Sequence, residues 1–189
     1  MAKIAVLTGA TSKLGPYIAK HLSKLGYQVI AHYYSAENKA FEMLSSGDIS
    51  QAIQADFSDL NSIDALVGKI YQHCSKVDLL VNNAAIFQHD TALHFDVSNL
   101  QRHIDINALA CIRLIQQIAL KQNADLKIVN MLDLMTQKTT KTYFSYNLSK
   151  RLLQSASKLI QSCMPDIKIQ NIYLPKINNP KDLDLFIKI

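Results

Sequence analysis

The strongest constraint on the fold is an alternation of short apolar runs with longer segments of helical periodicity, which continues from residue 3 to about residue 175. The short runs are apolar throughout rather than at every second position. Strands of that kind are buried on both faces, as in a parallel sheet covered by helices. The sequence therefore predicts a doubly wound α/β fold with a parallel sheet of at least six strands in three αβα layers.

Capping residues and glycines set the expected boundaries of these elements. Gly26 is placed to end the first helix, Ser58 or Asp59 to cap the third, and Ser98 to cap the fourth. We expect helices at residues 14–25, 37–46, 59–74, 98–121 and 143–163, and strands at 3–8, 28–32, 49–55, 78–81, 126–132 and 167–173. Right-handed crossovers would place a ligand beyond the carboxyl ends of the strands, where the strand order reverses.

Composition narrows the functional classes. With 189 residues, 49% of them hydrophobic, the chain is expected to form a single domain over residues 1–189. No apolar stretch approaches the ~20 residues needed to cross a bilayer, and the first residues do not resemble a signal peptide. The net charge of +5 suits an anionic cofactor or substrate, but it is not concentrated in a run, so nucleic-acid binding is not expected.

The three cysteines, Cys74, Cys111 and Cys163, are widely separated and show no metal-ligand spacing. We interpret them as buried free thiols of a protein in the reducing cytosol. The expectation is a cytoplasmic protein without a membrane segment or a metal site.

The first apolar run leads into residues 8–15, TGATSKLG, a strand-to-helix turn suited to a dinucleotide pyrophosphate. Gly9 permits a tight turn, and Gly15 lets the helix start pack close to the sheet. The backbone N–H groups of Ser12, Lys13 and Leu14 would meet the pyrophosphate at the positive end of the helix. Many strand-to-helix turns need glycine for geometry alone, so both interpretations stay open.

The second strand ends in HYYS, residues 32–35, without an acidic residue. An NAD enzyme of this architecture normally places Asp or Glu there to bind the ribose 2′-hydroxyl. The missing acid, with Lys13, Ser35 and Lys39 nearby, favours the 2′-phosphate of NADP(H). We therefore place His32 and Ser35 among the cofactor contacts; a solvated loop with incidental polar residues is the alternative.

Further candidates follow the third and fourth strands or lie in the fourth helix. Asp56 could accept from the adenine amino group or only cap the next helix, and Phe57 beside it is expected at the cofactor. Asn83 and Ala84 belong to a turn of small residues against which a cofactor could lie. Asn107 is a poor helix former inside a helix, and we interpret it as holding a water in a proton relay. A polar residue on an exposed face is the alternative.

The most informative group is Asp133, Tyr146 and Lys150. Tyr146 and Lys150 stand four residues apart, on one face of the predicted helix, and Asp133 lies 13 residues before the tyrosine. A free tyrosine has a pKa near ~10, and an ammonium group with the cationic nicotinamide of an oxidised cofactor would lower it. Tyr143 is the rival, but Asn147, four residues beyond it, carries no charge. We expect a hydride-transfer site in which Tyr146 is the proton donor.

In this order, the glycine turn and the Tyr/Lys pair resemble the short-chain dehydrogenase/reductase family, which has a Rossmann-like sheet. Lys13 in place of a common glycine and Asp133 in place of a common serine resemble, more narrowly, the pteridine, dihydromonapterin and alternative dihydrofolate reductases. Residues 82–87, NNAAIF, match their Asn-Asn-Ala-Ser-X-Phe pattern except at Ala85. The arginine expected after the second strand is missing, with Tyr34 or Ser35 in its place.

The resemblance implies an NADPH-dependent reductase of a dihydropterin, dihydromonapterin or dihydrofolate, with a role in folate metabolism. The pterin would lie between the nicotinamide and Phe87. Tyr146 would supply a proton to a ring nitrogen, and Asp133 would assist and hold the pterin. Lys150 would bind the nicotinamide ribose and tune Tyr146, and Lys13 would bridge cofactor phosphate and pterin. A reductase of ketones or 3-oxoacyl thioesters, and an NADP(H)-binding protein with weak turnover, are the alternatives.

The chain departs from the family after Pro175, where 14 residues remain and relatives continue with a substrate-covering segment and a seventh strand. Residues 183–189 alternate loosely and could form a strand. The intervening connection is too short for a parallel crossover, which needs about a dozen residues or more. We expect the lid and final strand to be absent, rearranged or supplied by a neighbour, which would weaken substrate binding.

Relatives of this fold are commonly tetramers, and two helices of this chain are apolar over a wide arc. The apolar residues are Ile104, Leu109, Ile112, Leu114, Ile115 and Ile118 in the fourth helix, and Leu152, Leu153, Ala156, Leu159 and Ile160 in the fifth. We predict a homodimer through these helices. The alternative is that both simply face their own core.

Overall fold

The computed structural model describes residues 2–122, 125–138 and 140–175, in which strands and helices alternate as predicted. The strands are β1 Lys3–Leu7, β2 Tyr27–Tyr33, β3 Gln51–Gln54, β4 Leu79–Asn82, β5 Leu126–Asp133 and β6 Ile167–Leu174. The α-helices are α1 Gly15–Lys24, α2 Glu37–Ser45, α3 Leu60–His73, α4 Val97–Ile104, α5 Ala110–Gln122 and α6 Phe144–Cys163. The strand suggested at 183–189 lies outside the described residues.

The six strands form one parallel sheet in the order β3-β2-β1-β4-β5-β6. Crossovers run outward in opposite directions from the centre, so the strand order reverses between β1 and β4. This is the doubly wound three-layer fold expected from the sequence, and that prediction is confirmed. The reversal opens a crevice beyond the carboxyl ends of β1 and β4, where ligands bind in such sheets.

Successive side chains of each strand point to opposite faces, so the sheet separates two layers of core. On one face the buried residues of β1, β4 and β5 pack with α1. On the other they pack with α3 and α5. Burial on both faces explains why the strands read as apolar throughout.

A row of side-chain amides, two of them fully buried and one half-buried, crosses the sheet near its carboxyl edge. Asn82, Asn130 and Asn171 are register partners on β4, β5 and β6. The Nδ2 group of Asn82 donates to Oδ1 of Asn130 at 2.8 Å. Nδ2 of Asn130 in turn donates to Oδ1 of Asn171 at 3.1 Å and to the Ser157 hydroxyl at 2.9 Å. The Nδ2 groups of Asn82 and Asn130 are thus satisfied within the row, whereas the buried Oδ1 of Asn82 has no partner among the described residues.

The expected helix at residues 98–121 is interrupted. Residues Asp105–Leu109 form a π-helical turn between α4 and α5. The helix also begins earlier than expected, because Asp96 rather than Ser98 is its N-cap. Oδ1 of Asp96 accepts from the Asn99 N–H group at 2.9 Å and also from the Ser98 hydroxyl, so Ser98 serves as a donor to the cap.

The cysteines are free, as expected, but only Cys111 is fully buried. Cys74 is half-buried, and Cys163 is exposed at the end of α6, where the expectation of burial was wrong. Across the part of the chain that the structure describes, no helix is both long and apolar enough to cross a membrane. The same residues contain no group of three or more acidic, histidine or cysteine side chains that could hold a metal ion.

Candidate active site

The turn after β1 is pressed against the end of β4, and glycine is required for that contact. Gly9 has a left-handed backbone, with φ of 63°, and a Cβ atom there would lie 2.8 Å from the Cα atom of Ala84. A Cβ atom on Gly15 would lie 2.1 Å from the carbonyl oxygen of Ala10. The tight turn and the close start of α1 are therefore as the sequence predicted.

Asn83 holds this turn in place. Its Nδ2 group donates to the carbonyl oxygens of Thr8 and Gly9, both at 3.0 Å, and to the Ser12 hydroxyl at 3.2 Å. The Thr8 hydroxyl accepts from the N–H groups of Asn83 and Ala84 in return. The side-chain amide of Asn83 therefore contacts the protein, and its contribution to a ligand site is to shape the turn.

Two N–H groups at the start of α1 are available to a ligand. The Gly15 N–H group donates to the Ser12 hydroxyl at 3.3 Å. Within the described residues, the N–H groups of Lys13 and Leu14 have no acceptor. Unpaired donors at the positive end of a helix form an anion site, so this turn fits a pyrophosphate.

A cleft of about 310 Å³ opens beside this turn at the carboxyl ends of β1 to β4. Seven of the expected cofactor residues line it: Gly9, Ser12, His32, Ser35, Asp56, Phe57 and Ala84. The remaining lining residues, which the sequence did not single out as site residues, are Thr11, Tyr34, Ala36, Ala55, Ala85, Ile86, Arg102 and Ile106. The other five expected cofactor residues, Lys13, Leu14, Gly15, Asn83 and Lys150, are not on its wall. Arg102 reaches the cleft from α4, and no local motif marks that position.

His32 forms part of the cleft wall as a neutral, buried ring. Its Nδ1 accepts from the Gly9 N–H group at 3.2 Å, and its Nε2 donates to the Ala55 carbonyl at 3.1 Å. The ring stacks on Phe57 with centroids 4.0 Å apart. Burial lowers the pKa of His32 to about 4, against the opposing effects of Ala55 and Asp56. Both ring nitrogens are engaged by the protein, so His32 ties the ends of three strands together.

Asp56 also has an internal role. Its Oδ1 accepts from the N–H group and the hydroxyl of Ser58 at 2.8 and 2.7 Å, and its own N–H group donates to Ser62. The cap of α3 is the neighbouring Asp59, one of the two residues expected there. Asp56 is therefore free of capping α3 and lines the cleft.

Lys39 is the lysine that lies against the turn. Its Nζ donates to the carbonyl oxygens of Thr11 at 2.8 Å and Ser12 at 3.2 Å. Lys13 is exposed, and its side chain has no hydrogen bond or ion pair among the described residues. The structure thus brings the lysine of α2, rather than the lysine of the turn, against Thr11 and Ser12.

The other half of the site follows β5 and begins α6. Tyr146 and Lys150 are both buried, one helical turn apart. Lys150 donates from Nζ to the Met131 carbonyl at 3.0 Å, and burial lowers its pKa while nearby Cys111 and Asp133 raise it. Burial, with a further contribution from Asp133, raises the pKa of Tyr146. The sequence led us to expect that Lys150, together with a bound nicotinamide, lowers the pKa of Tyr146. In the chain without a cofactor, that pKa is raised instead.

Asp133 ends β5 and is half-buried. Its Oδ1 accepts from the Met135 N–H group at 2.7 Å, which caps a short 3₁₀ turn over Leu134–Gln137. The same carboxylate raises the pKa values of Tyr146 and Lys150, so the three expected residues form one electrostatic group. The structure brings them together as the spacing predicted.

Asn107 lies at the centre of the π-helical turn and is fully buried, so the alternative of an exposed polar residue is wrong. Its Oδ1 accepts from the Ile86 N–H group at 2.8 Å. Its Nδ2 donates to the Ile86 carbonyl and to the Ser149 hydroxyl, both at 3.0 Å. The side chain therefore joins the segment after β4 to α6.

Phe87 stands beside the buried tyrosine, with half of its surface exposed. Its ring meets Tyr146 edge-on at 4.6 Å and stacks on Tyr143 at 4.2 Å. Tyr143, the rival to Tyr146, is the residue before α6 and has no lysine partner. The structure places it as the aromatic neighbour of Phe87.

A family model described as short chain dehydrogenase matches residues 3–180. Among curated proteins, the chain is 28% identical over 137 residues to a 3-oxoacyl-[acyl-carrier-protein] reductase of Synechocystis sp., a match that covers 69% of this chain and 55% of that protein. It is 26% identical over 201 residues to pteridine reductase 1 of Leishmania tarentolae, covering 83% of this chain and 70% of the relative. The chain thus spans between half and three quarters of these relatives.

Solved structures agree with the fold. FolM alternative dihydrofolate reductase 1 from Brucella canis, complexed with NADP, is 25% identical with a TM-score of 0.85, and the match covers 97% of this chain and 77% of that one. The Brucella suis protein of the same name, also in complex with NADP, is 25% identical with a TM-score of 0.83, covering 90% and 74%.

Proposed function

Because the chain belongs to the short-chain dehydrogenase family, we propose that it is an NADPH-dependent reductase of a pterin-type substrate: a dihydropterin, dihydromonapterin or dihydrofolate. The observation that carries this proposal is the exposed ring of Phe87 in edge contact with Tyr146. Asp133 is the charged neighbour of that tyrosine. A flat ring on Phe87 would lie within reach of an acid and a proton donor.

The cleft supports a phosphorylated dinucleotide as cofactor. The free N–H groups of Lys13 and Leu14 would take the pyrophosphate. Asp56 and Arg102 line the cleft and would contact the adenosine. Ser35 and Lys39 would read the 2′-phosphate, since no acid follows β2. Two relatives of known structure, both 25% identical, are complexes with NADP.

Tyr146 is the proton donor in this proposal, and NADPH, when bound, would supply the hydride. Burial and Asp133 raise the pKa of Tyr146, which keeps its phenol protonated but makes it a weaker acid. The Lys150 ammonium and the nicotinamide would lower that pKa toward the working pH, where proton transfer is efficient. Asp133 would hold the pterin, and Lys150 would bind the nicotinamide ribose. Asn107 would fix the segment that carries Phe87 to α6.

The test is the oxidation of NADPH with dihydrobiopterin, dihydromonapterin and dihydrofolate, against a ketone and an acetoacetyl thioester. We expect oxidation that depends on a dihydropterin. It should fall by about 10²- to 10⁴-fold in Tyr146→Phe, which removes the acid. Tyr143→Phe retains the ring that stacks on Phe87 and is the matched control, with turnover expected to persist. Pterin turnover that survives in Tyr146→Phe would contradict the assignment.

A carbonyl reductase is the second candidate, favoured by the similarity to the Synechocystis 3-oxoacyl reductase. The Asp133→Ser variant separates the two. Removing the carboxylate that holds a pterin should abolish pterin reduction, whereas serine at this position should be tolerated in ketone or thioester reduction. Tight NADPH binding without turnover of either class would instead support a cofactor-binding protein.

A further inference from the structure

Helix α6, which carries Tyr146 and Lys150, begins without a capping side chain of its own. The residue at its N-cap, Tyr143, has a left-handed backbone with φ of 58° and ψ of 45° and makes no capping hydrogen bond from its side chain. The first N–H groups of any helix lack partners within the helix. Here a different segment of the chain provides the acceptors.

That segment is the loop after β4, and the acceptor is Asp90. Both carboxylate oxygens of Asp90 accept from the Ser145 N–H group at 3.2 Å, and Oδ2 also accepts from the Ser145 hydroxyl. The carbonyl oxygen of Asp90 accepts from the Tyr143 N–H group at 2.8 Å. Asp90 is 6% exposed, so these bonds are shielded from water.

The position of Asp90 connects two parts of the site. It follows Phe87 by three residues, and its partner Ser145 directly precedes Tyr146. Tyr143 stacks on Phe87, and Tyr146 meets the same ring edge-on. Asn107 fixes the other end of this loop through the backbone of Ile86. Residues 86–90 are thus held at both ends, and Asp90 is the end that determines where α6 begins.

We propose that Asp90 is a positioning residue for proton transfer. By holding Tyr143 and Ser145, it fixes the first turn of α6, and so sets the phenol of Tyr146 against a substrate bound on Phe87. The carboxylate of Asp90 is buried and both of its oxygens are occupied by Ser145, so it acts through α6 rather than on the substrate. This inference rests on the proposed function for its kinetic part only.

The test compares Asp90→Ala with Asp96→Ala. Asp96 lies in the same segment and also caps a helix, but that helix is α4 and the residue is exposed. Misplacing a reacting group by an ångström costs up to about a hundredfold in rate, so kcat should fall by about ten- to a hundredfold in Asp90→Ala. The dissociation constant for NADPH should change by less than about twofold, because Asp90 is not among the residues that line the cleft. Asp96→Ala should retain kcat within about twofold, because the hydrogen bonds of its carboxylate go to Ser98 and Asn99 in α4 and not to α6.

Two further readouts separate positioning from general destabilisation. The solvent deuterium isotope effect on kcat should rise in Asp90→Ala, because the slower proton transfer becomes rate-limiting. Amide exchange at Tyr143 and Ser145, followed by NMR without any substrate, should accelerate by about tenfold or more as their acceptors are lost. Asp90→Asn keeps one accepting oxygen and should show smaller changes in the same direction, which provides a measurement if the alanine variant does not fold.

The outcomes are distinct. If the proposed function is wrong, the wild type will show no pterin turnover. Amide exchange at Tyr143 and Ser145 will then still show whether Asp90 stabilises the first turn of α6. Wild-type kcat in both Asp90 variants would overturn the positioning role, as would unchanged exchange at Tyr143 and Ser145. An equal fall in kcat in Asp96→Ala would also overturn the positioning role, because it would show that any disturbance of this segment lowers kcat.

Discussion

At the scale of single residues, His32 shows how a polar side chain is retained at the junction of three strands. Its ring accepts from Gly9, donates to Ala55 and stacks on Phe57. This arrangement requires the neutral ring, and burial lowers its pKa to about 4. An unfolded histidine titrates near ~6.5. The stability of the fold is therefore linked to pH.

The contribution of His32 is complete above pH ~6.5, where the ring is neutral in both states. Between pH ~6.5 and about 4 only the unfolded chain takes up the proton, so stability falls as the pH falls. From pH 7 to pH 5 the free energy of unfolding should drop by about 2 kcal/mol through this group. Urea denaturation of the wild type and of His32→Gln at pH 7 and pH 5 measures this drop in the free energy of unfolding. The variant should be less stable at pH 7 but less sensitive to pH, and equal sensitivity would contradict the assignment.

A second prediction at this scale concerns cofactor choice. Lys39→Met should reduce the preference for NADPH over NADH by about tenfold or more, the worth of a charge-assisted hydrogen bond. Lys13→Met is the matched control and should change the preference by less than about threefold, because this exposed side chain makes no hydrogen bond among the described residues, whereas Lys39 is held on Thr11 and Ser12 of the cleft wall. Dissociation constants for both cofactors check it. An equal loss of affinity for NADPH and NADH would assign Lys39 to support of the turn alone.

At the scale of elements, the π-helical turn at Asp105–Leu109 brings Asn107 to the loop after β4. Asn107→Ala should lower the free energy of unfolding by about 2–4 kcal/mol, because the Ile86 N–H and carbonyl groups lose their partner. Asn99→Ala in α4 is the control, since Asn99 uses its backbone rather than its side chain in hydrogen bonds, and should cost less than about 1 kcal/mol. Urea denaturation of both variants measures these free energies of unfolding. Similar losses in Asn107→Ala and Asn99→Ala would contradict the role of Asn107 in joining the loop after β4 to the helix.

The sequence predicted the elements well because apolar periodicity and glycines are local signals. It did not predict the π-helical turn, whose Asn107 bonds to Ile86, a residue 21 positions away in the sequence. It placed the cap of α4 at Ser98, two residues late, because serine and aspartate are equally good caps by type. Arg102 and Asp90 were also missed, because their contacts, like those of the π-helical turn, join distant parts of the sequence. Their roles arise only when α4 and α6 are brought to the carboxyl edge of the sheet.

At the scale of the whole molecule, the prediction of a homodimer through the long helices stays a proposal, and its residues are revised. Leu114, Ile115, Ile118 and Leu153 belong to the core. The outward apolar residues of these helices are Leu109, Leu120, Leu148, Leu152 and Leu159. Leu148 and Leu152, four residues apart on α6, offer a surface for a second copy, since such exposed apolar residues mark interfaces when contiguous.

Light scattering at micromolar concentration should report a dimer, and replacing both Leu148 and Leu152 with lysine should give a monomer because two buried charges oppose association. Leu25→Lys, at an exposed leucine after α1, is the control and should retain the dimer. A monomeric wild type would contradict the prediction. A tetramer that survives deletion of residues 183–189 would contradict a role of that segment in assembly.

The amide row across β4, β5 and β6 has a consequence for how the chain reaches its native state. Asn82, Asn130 and Asn171 are far apart in sequence, yet they bond only when three strands align residue for residue. Sliding a strand by one residue sends its side chains to the opposite faces and leaves buried amides unpaired at a cost of about 1–3 kcal/mol each. Misaligned sheets are thereby penalised before the chain is complete. The docking of β6 should therefore occur in a single register.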